Sequence, residues 1–527
     1  MSQTDQQVIA VVLESAEVSL ISRWCDEGKL PAIQRLREQG VWCELTGPGY
    51  ISSGCVWPSL CVGTNPAKHG IGFFHRELKN GTYRMIKKYA DQVVGEYFWD
   101  SLAKAGHRVA ILDAALTKPT PGVNGVILCD WGSEHPGWKQ CSEPPELFAD
   151  VSQRFGEHPL ADWYQRRLHT VEEWRELSDK LIQGAQIRTD IFCDMIARSD
   201  SRFALANYSE PHWAGHMCWH LHDPDHPEYD ADLVAKVGDV ILDSYRACDR
   251  GIAQIVERFP DANMVVLSLI GMGSHAGGEM LLPEILDRLG MAGKGPARNS
   301  PREPGGSRRA LFGNTAATTQ IIQRVEQVIS PDLMRRVKNA VPERLWDTVT
   351  RGVLSVGTNW KNSIAFSVPG DNSGLIRINL KGREPKGKVE PGREFDAVCE
   401  QLITAFKELR DVSTGKPAVT DVYKLRDLLK GPLIDELPDL VVLWQRGVPI
   451  SAVESERLGR IELEEFHKRP GGHWHSGFLI ASGHHFKRGE ALPTASLLDV
   501  APTMLALFDV EAPQEYDGEV MRGMLRV

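Results

Sequence analysis

The sequence predicts an α/β fold, with a mostly parallel central sheet and helices on both of its faces. Three observations point there. Short apolar runs of strand length alternate with amphipathic stretches, the pattern of buried parallel strands joined by helical crossovers. At 527 residues the chain is long enough to cover both faces of such a sheet. Its composition, 42% hydrophobic and 25% charged without a low-complexity tract, is that of a globular protein.

VIAVVL (8–13) is the first expected strand. LPAIQRLREQG (30–40) follows as a helix, with Leu30, Ile33 and Leu36 near helical spacing and Gly40 as a stop. RVAILDA (108–114), GVILCD (125–130), RFALANYS (202–209), NMVVLSL (263–269), LPDLVVLW (437–444) and GFLIASG (477–483) read as further strands. A helix from about 231 to 258 precedes NMVVLSL. Two stretches break the rhythm. Residues 131–200 open with a Trp/Pro/Gly-rich loop and continue as a long helix after Thr170, which forms a capping box with Glu173. Residues 291–354 begin with AGKGPARNSPREPGGSRR and then turn helical. That run reads as a surface loop, with a phosphate-gripping loop as the sharper alternative.

The net charge of −10 gives no general support to a nucleic-acid or anionic-membrane partner, and leaves room for a local basic pocket that binds a phosphate. The ten cysteines form no CxxC pair. Cys129 and Cys141 could bridge, but reduced thiols in a cytosolic protein are the simpler reading. MSQTDQQVIAVVLES has no basic n-region, and its apolar run suits a strand better than a signal peptide. No window approaches a membrane span. The expectation is a soluble, cytoplasmic protein.

Four ordered blocks carry a resemblance: GKLPAIQRLREQG (28–40) with SSGCVWPSLCVGTNPAKHGIGFF (52–74); EPHWAGHMCWHLHDPDHPEYD (210–230); LIRINLKGREPKGKVEPG (375–392) with PDLVVLW (438–444); and GGHWHSGFLIASG (471–483) with DVAPTMLALFDV (499–510) and YDG (516–518). Together they resemble the type I phosphodiesterase/nucleotide pyrophosphatase branch of the alkaline phosphatase superfamily. The resemblance implies an alkaline-phosphatase-like catalytic core from 1–130, 201–290 and 355–527. It makes 131–200 and 291–354 inserted helical cap or lid segments. The activity implied is metal-dependent hydrolysis of a phosphate, phosphonate or sulfate ester.

In this family a nucleophilic hydroxyl precedes the Trp by four positions and the following Gly by ten, and counting back from Trp57 and from Gly63 reaches Ser53 both times. A serine at a strand-to-helix junction can attack phosphorus, with helix N–H groups facing the anion. Cys55 is a competing nucleophile, and helix capping is the plainer role for SSGC. The first strand of the family ends in Asp-Gly, whose Asp binds a metal. Here Glu14-Ser15 stands there, so Glu14 is implied as a longer ligand, a freed general base or a solvent-facing carboxylate.

The family's first metal site uses Asp-x-x-x-His plus a distant His. The matching residues here are His212, His216 and His473, which implies a three-histidine site. Such a set suits one divalent ion, zinc first, and also accepts iron or another transition metal. His275, His475 and Arg76 are candidate substrate contacts, although a surface salt bridge explains Arg76 equally well. His220, His222 and His226 could contact substrate or replace a lost ligand, but a hydrogen-bonded surface or core histidine is the simpler reading, and the resemblance implies that His69 shapes the nucleophile loop. The main departure is Leu269-Ile270, which replaces the Asp-His pair of the second metal. Neither side chain has a lone pair, so a two-ion displacement loses half of its site. Three classes remain open: a single-metal hydrolase, a repurposed single-metal enzyme (lyase, transferase or oxygen-using catalyst), and a binding protein without catalysis.

Overall fold

The computed structural model describes residues 6–73, 77–133, 140–161, 168–293, 360–447, 449–463 and 469–526. Its centre is a ten-stranded sheet. The main strands are β1 (Val8–Leu13), β2 (Val41–Thr46), β3 (Val109–Leu112), β4 (Gly125–Cys129), β5 (Cys141–Glu143), β6 (Phe203–Tyr208), β7 (Asn263–Ser268) and β8 (Ser476–Ser482). They lie in the order β2-β8-β7-β1-β6-β3-β4-β5, with short strands Glu490–Ala491 and Ala495–Ser496 along the outer edge of β2. Strands β7, β1, β6, β3 and β4 are mutually parallel. β8 runs antiparallel to both β7 and β2, and β5 antiparallel to β4.

β1 shows why the apolar runs become central strands. All six of its residues are buried, and they alternate between two cores. Ile9, Val11 and Leu13 enter the core beneath helices Pro31–Gln39, Val171–Ser199 and Val240–Arg258. Val8, Ala10 and Val12 enter the opposite core beneath helices Val56–Val62, Phe98–Lys104 and Val500–Ala506. A strand covered on both faces has no solvent side, so its sequence is apolar at every position.

The long helix after Thr170 forms with the expected capping box: Glu173 N–H donates to Thr170 Oγ1 (3.2 Å) and Thr170 N–H to the Glu173 carboxylate (3.0 Å). Its Leu177, Leu181, Ala185 and Ile191 enter the same core as β1, so this helix belongs to the layer that covers the sheet. The single helix expected over 231–258 is instead two, Ala231–Val237 and Val240–Arg258. Gly238 breaks it at φ +90°, and the Asp239 side chain caps the second piece by accepting from Leu242 N–H (3.0 Å). The apolar run at 437–444 is a strand only over Leu440–Trp444, and it lies outside the central sheet. It joins Ala365–Val368, Gly374–Ile378 and Val419–Lys424 in an antiparallel four-stranded sheet with a core of its own. An apolar run reports burial, not which sheet buries it. Residues 294–354 of the second expected insertion lie outside the described residues.

No helix among the described residues is long and apolar enough to cross a membrane. All ten cysteines carry free thiols, and Cys129 and Cys141 stand opposite each other across β4 and β5.

Candidate active site

The parallel strands deliver their C-terminal ends to one edge of the sheet, the usual location of sites in such folds. Glu14 and Ser15 follow β1, helix Glu210–His222 starts two residues beyond β6, and Leu269-Ile270 follow β7. Because β8 is antiparallel, the segment leading into it arrives at the same edge. That segment is strand Gly471–Trp474, which pairs with Gly271–Ser274 in a two-stranded ribbon.

Helix Glu210–His222 presents His212 and His216 one turn apart, and the ribbon supplies His473. All three are buried, at 6%, 8% and 6% exposure, and a nitrogen from each lies within 4.8 Å of the others. His212 Nε2 and His473 Nε2 are 3.3 Å apart. Ligand bonds of about 2.05 Å in a tetrahedral zinc site place donors roughly 3.3 Å apart, the spacing of this pair. Two of the outer nitrogens are held as well. His216 Nδ1–H donates to the Gly471 carbonyl (2.8 Å), which turns its Nε2 lone pair outward. His473 Nδ1 pairs with Ser15 Oγ (3.2 Å), and His212 Nδ1 lies 3.8 Å from Glu14 Oε2. Ser15 adopts φ +56°, a left-handed conformation that a glycine would hold without strain. The serine thus supplies a hydroxyl at the cost of backbone ease.

Glu14 is fixed by two donors: Trp57 Nε1–H to Oε1 (3.2 Å) and Asn207 Nδ2–H to Oε2 (2.9 Å). Ser53 opens a 3-10 turn that runs into helix Val56–Val62. It is partly exposed, whereas Ser52, Gly54 and Cys55 are buried. The carboxylate bonded to Ser53 is that of Asp371: its Oδ2 accepts from Ser53 N–H (2.9 Å) and, in a very short bond, from Ser53 Oγ. Burial pushes the Asp371 carboxyl above its ordinary value, against the bonds from Ser53. The next residue, Asn372, donates from Nδ2 to the His473 carbonyl (2.6 Å), so one turn touches both the serine and the histidine ribbon. Cys55 is a poor competitor. Burial raises its thiol, and Sγ is spent on the carbonyls of Pro48 (3.1 Å) and Ser52 (3.0 Å).

The remaining expected contacts are spread more widely. His475 Nδ1 pairs with the Gly49 carbonyl (3.2 Å), and burial together with Arg446 lowers its imidazole to about 4. His275 accepts from Gly277 N–H (3.2 Å) and lies 3.7 Å from Glu279, outside the three-histidine cluster. Arg76 lies outside the described residues. Leu269 and Ile270 are 4% and 2% exposed and belong to a hydrophobic core with Val56, Trp57 and Leu267. The Ile270 side chain closes on Gly49: a Cβ there would lie 3.0 Å from Ile270 Cδ1 and 3.4 Å from Val56 Cγ1.

Reading the sequence missed Asp371 and Asn372. They lie in SVPGDNSG between two strands of the smaller sheet, and nothing in that turn motif points to a serine more than 300 positions earlier. It also missed Arg446, whose guanidinium sits 5.3 Å from the centre of the Trp474 ring beside His473.

The type I phosphodiesterase/nucleotide pyrophosphatase family model matches residues 8–473. No curated protein sequence matches the chain at a significant level. Among solved structures, phosphonoacetate hydrolase from Sinorhizobium meliloti 1021 in complex with phosphonoformate is similar at TM-score 0.51 and 13% identity, over 96% of this chain and 95% of that one. Wild-type alkaline phosphatase PafA is similar at TM-score 0.51 and 13% identity, over 99% of each chain. Murine ectonucleotide pyrophosphatase/phosphodiesterase 5 covers 99% of this chain and 100% of its own at 12% identity, with a TM-score of 0.45. The likeness to the first two carries the fold, an alkaline-phosphatase-like α/β core. The chain belongs to the type I phosphodiesterase/nucleotide pyrophosphatase family, and with it to the metal-dependent phosphoryl-transfer hydrolases.

Proposed function

We propose that this chain is a single-metal hydrolase of small phosphate, phosphonate or sulfate esters. His212, His216 and His473 hold one divalent ion, zinc first, and Ser53 is the nucleophile. The observation that carries the reading is the contrast at the sheet edge. Three buried imidazoles converge within 4.8 Å, while Leu269 and Ile270, which stand where the family carries ligands of its second metal, lie in a hydrophobic core.

A divalent ion on three neutral imidazoles supplies a Lewis acid for the oxygen that gains charge during ester cleavage. The chain does the rest. Ser53 Oγ attacks phosphorus or sulfur from the partly exposed turn. Ser15 and the Gly471 carbonyl orient His473 and His216, and Glu14 lies beside His212. Ile270, seated on Gly49, sets hydrocarbon beside the loop that leads to the serine turn. His475, His275 and Arg76 are assigned to substrate binding, and 291–354 to a segment that sets specificity. Ten free thiols suit a reducing compartment, which supports a cytoplasmic enzyme.

Metal analysis of protein purified without added metal tests the centre: about one equivalent is expected for a single site of this donor set. Two equivalents overturn the loss of the second site. Ser53→Ala should abolish turnover of nitrophenyl phosphodiesters, monoesters or sulfates. The apolar wall of Leu269 and Ile270 also suits a second reading, a repurposed enzyme for a less anionic substrate. One bound metal with no turnover of any of these esters is the result that favours it.

A further inference from the structure

We propose that Asp371 is the general base for Ser53, so that a carboxylate takes over the activation of the nucleophile. The inference rests on the reading of Ser53 as nucleophile. Asp371 Oδ2 receives both Ser53 N–H (2.9 Å) and Ser53 Oγ–H, a two-point grip that fixes the direction of the hydroxyl as well as its distance. The turn is anchored from the far side. Asn372 holds the His473 carbonyl (2.6 Å), and Ser373 Oγ–H donates to the Tyr50 carbonyl (2.7 Å), three residues before the nucleophile. The base is therefore braced against both the histidine ribbon and the serine loop.

Glu14, a second carboxylate of the region, is committed to Trp57 and Asn207. Ile270 and Val56 line the Gly49 side of the turn with hydrocarbon. In a weakly polar surrounding a carboxylate is a stronger base than in water, and burial does raise the Asp371 carboxyl.

In the first half-reaction the Ser53 O–H bond breaks and its proton passes to Asp371 Oδ2. The freed pair on Oγ forms the bond to phosphorus, and the bond to the leaving oxygen breaks with its pair on that oxygen, which takes a proton from solvent. In the second, water attacks the phosphoryl-serine and gives its proton to solvent. The bond from phosphorus to Oγ breaks, and Asp371 returns its proton to Oγ. No oxidant or further reactant is needed.

The test uses the metal-loaded, full-length protein and three variants. Asp371→Asn should lower kcat by about 10²–10⁴-fold, the range for loss of a general base. Its metal content and melting temperature should match those of the parent. Asp371→Ala should fall as far and recover in part when formate is added, because a small carboxylate can fill the vacated position. Ser53→Ala separates the two readings. If it keeps full turnover, the nucleophile assignment fails and takes this inference with it. If it is dead, an Asp371→Asn enzyme at parental kcat, or an Asp371→Ala enzyme that formate does not relieve, overturns the base assignment alone.

Discussion

Ser15 combines two demands that the family's glycine does not face together. It holds φ +56° and it bonds His473 Nδ1. Ser15→Ala keeps the backbone strain and deletes the bond. We expect metal affinity to fall about 10–100-fold, as for other losses of a partner behind a ligand, in a chelator competition assay. His69 is a different kind of residue. Fully buried and paired with Ser59 (2.9 Å), it is lowered to about 3 by burial and by the Lys88 charge. An unfolded histidine titrates near 6.5. Between these values the unfolded chain binds the proton and the folded one does not. The stability from neutral His69 is therefore complete above about pH 6.5 and lost as pH falls toward 3, at up to ~1.4 kcal/mol per pH unit. His69→Gln should flatten that part of the profile of denaturation midpoint against pH.

At the scale of an element, helix Glu210–His222 depends on a buried charge network at its start. Arg188 of helix Val171–Ser199 donates from Nε to Glu210 Oε1 (3.1 Å), from Nη2 to Ser209 Oγ (3.0 Å) and Gly132 O (3.0 Å), and closely to Asp113. Burial works to raise the Glu210 carboxyl, but Arg188 and His158 outweigh it and hold it below its usual value. Arg188→Met leaves two buried carboxylates without their cation. The expected cost is about 3–5 kcal/mol in denaturant unfolding, since breaking a buried pair from one side costs more than the pair is worth. Because His212 and His216 ride on this helix, the same variant should bind metal more weakly. Ile270 tests the opposite, apolar side. Ile270→Ala empties a 2%-exposed position, with an expected loss of about 2–5 kcal/mol and metal stoichiometry unchanged.

Across the whole molecule, the metal would join segments far apart in sequence, the helix after β6 and the ribbon before β8. An ion that binds only the folded state stabilises it by mass action, about 4 kcal/mol at a thousandfold excess over Kd. Removing it with a chelator should lower the melting temperature of the parent protein by several degrees, and His216→Ala should show no such shift.

How far the sequence reached follows from range. The alternating apolar runs and the Thr170 capping box are local signals, and they suffice to determine the strands, the long helix and the α/β class. The family blocks likewise bring out His212, His216, His473 and Ser53, because each lies at a fixed spacing from its neighbours in the chain. Other features were decided only by tertiary structure. The placement of Leu440–Trp444 in a second sheet depends on its pairing partners, and the break at Gly238 on a single backbone conformation. Asp371 reaches Ser53 only because the smaller sheet sets its turn against the edge of the larger one. A hydrogen bond between residues 318 positions apart leaves no periodicity in either segment. The histidines could be counted in sequence, but the carboxylate that grips the serine had to be folded into place.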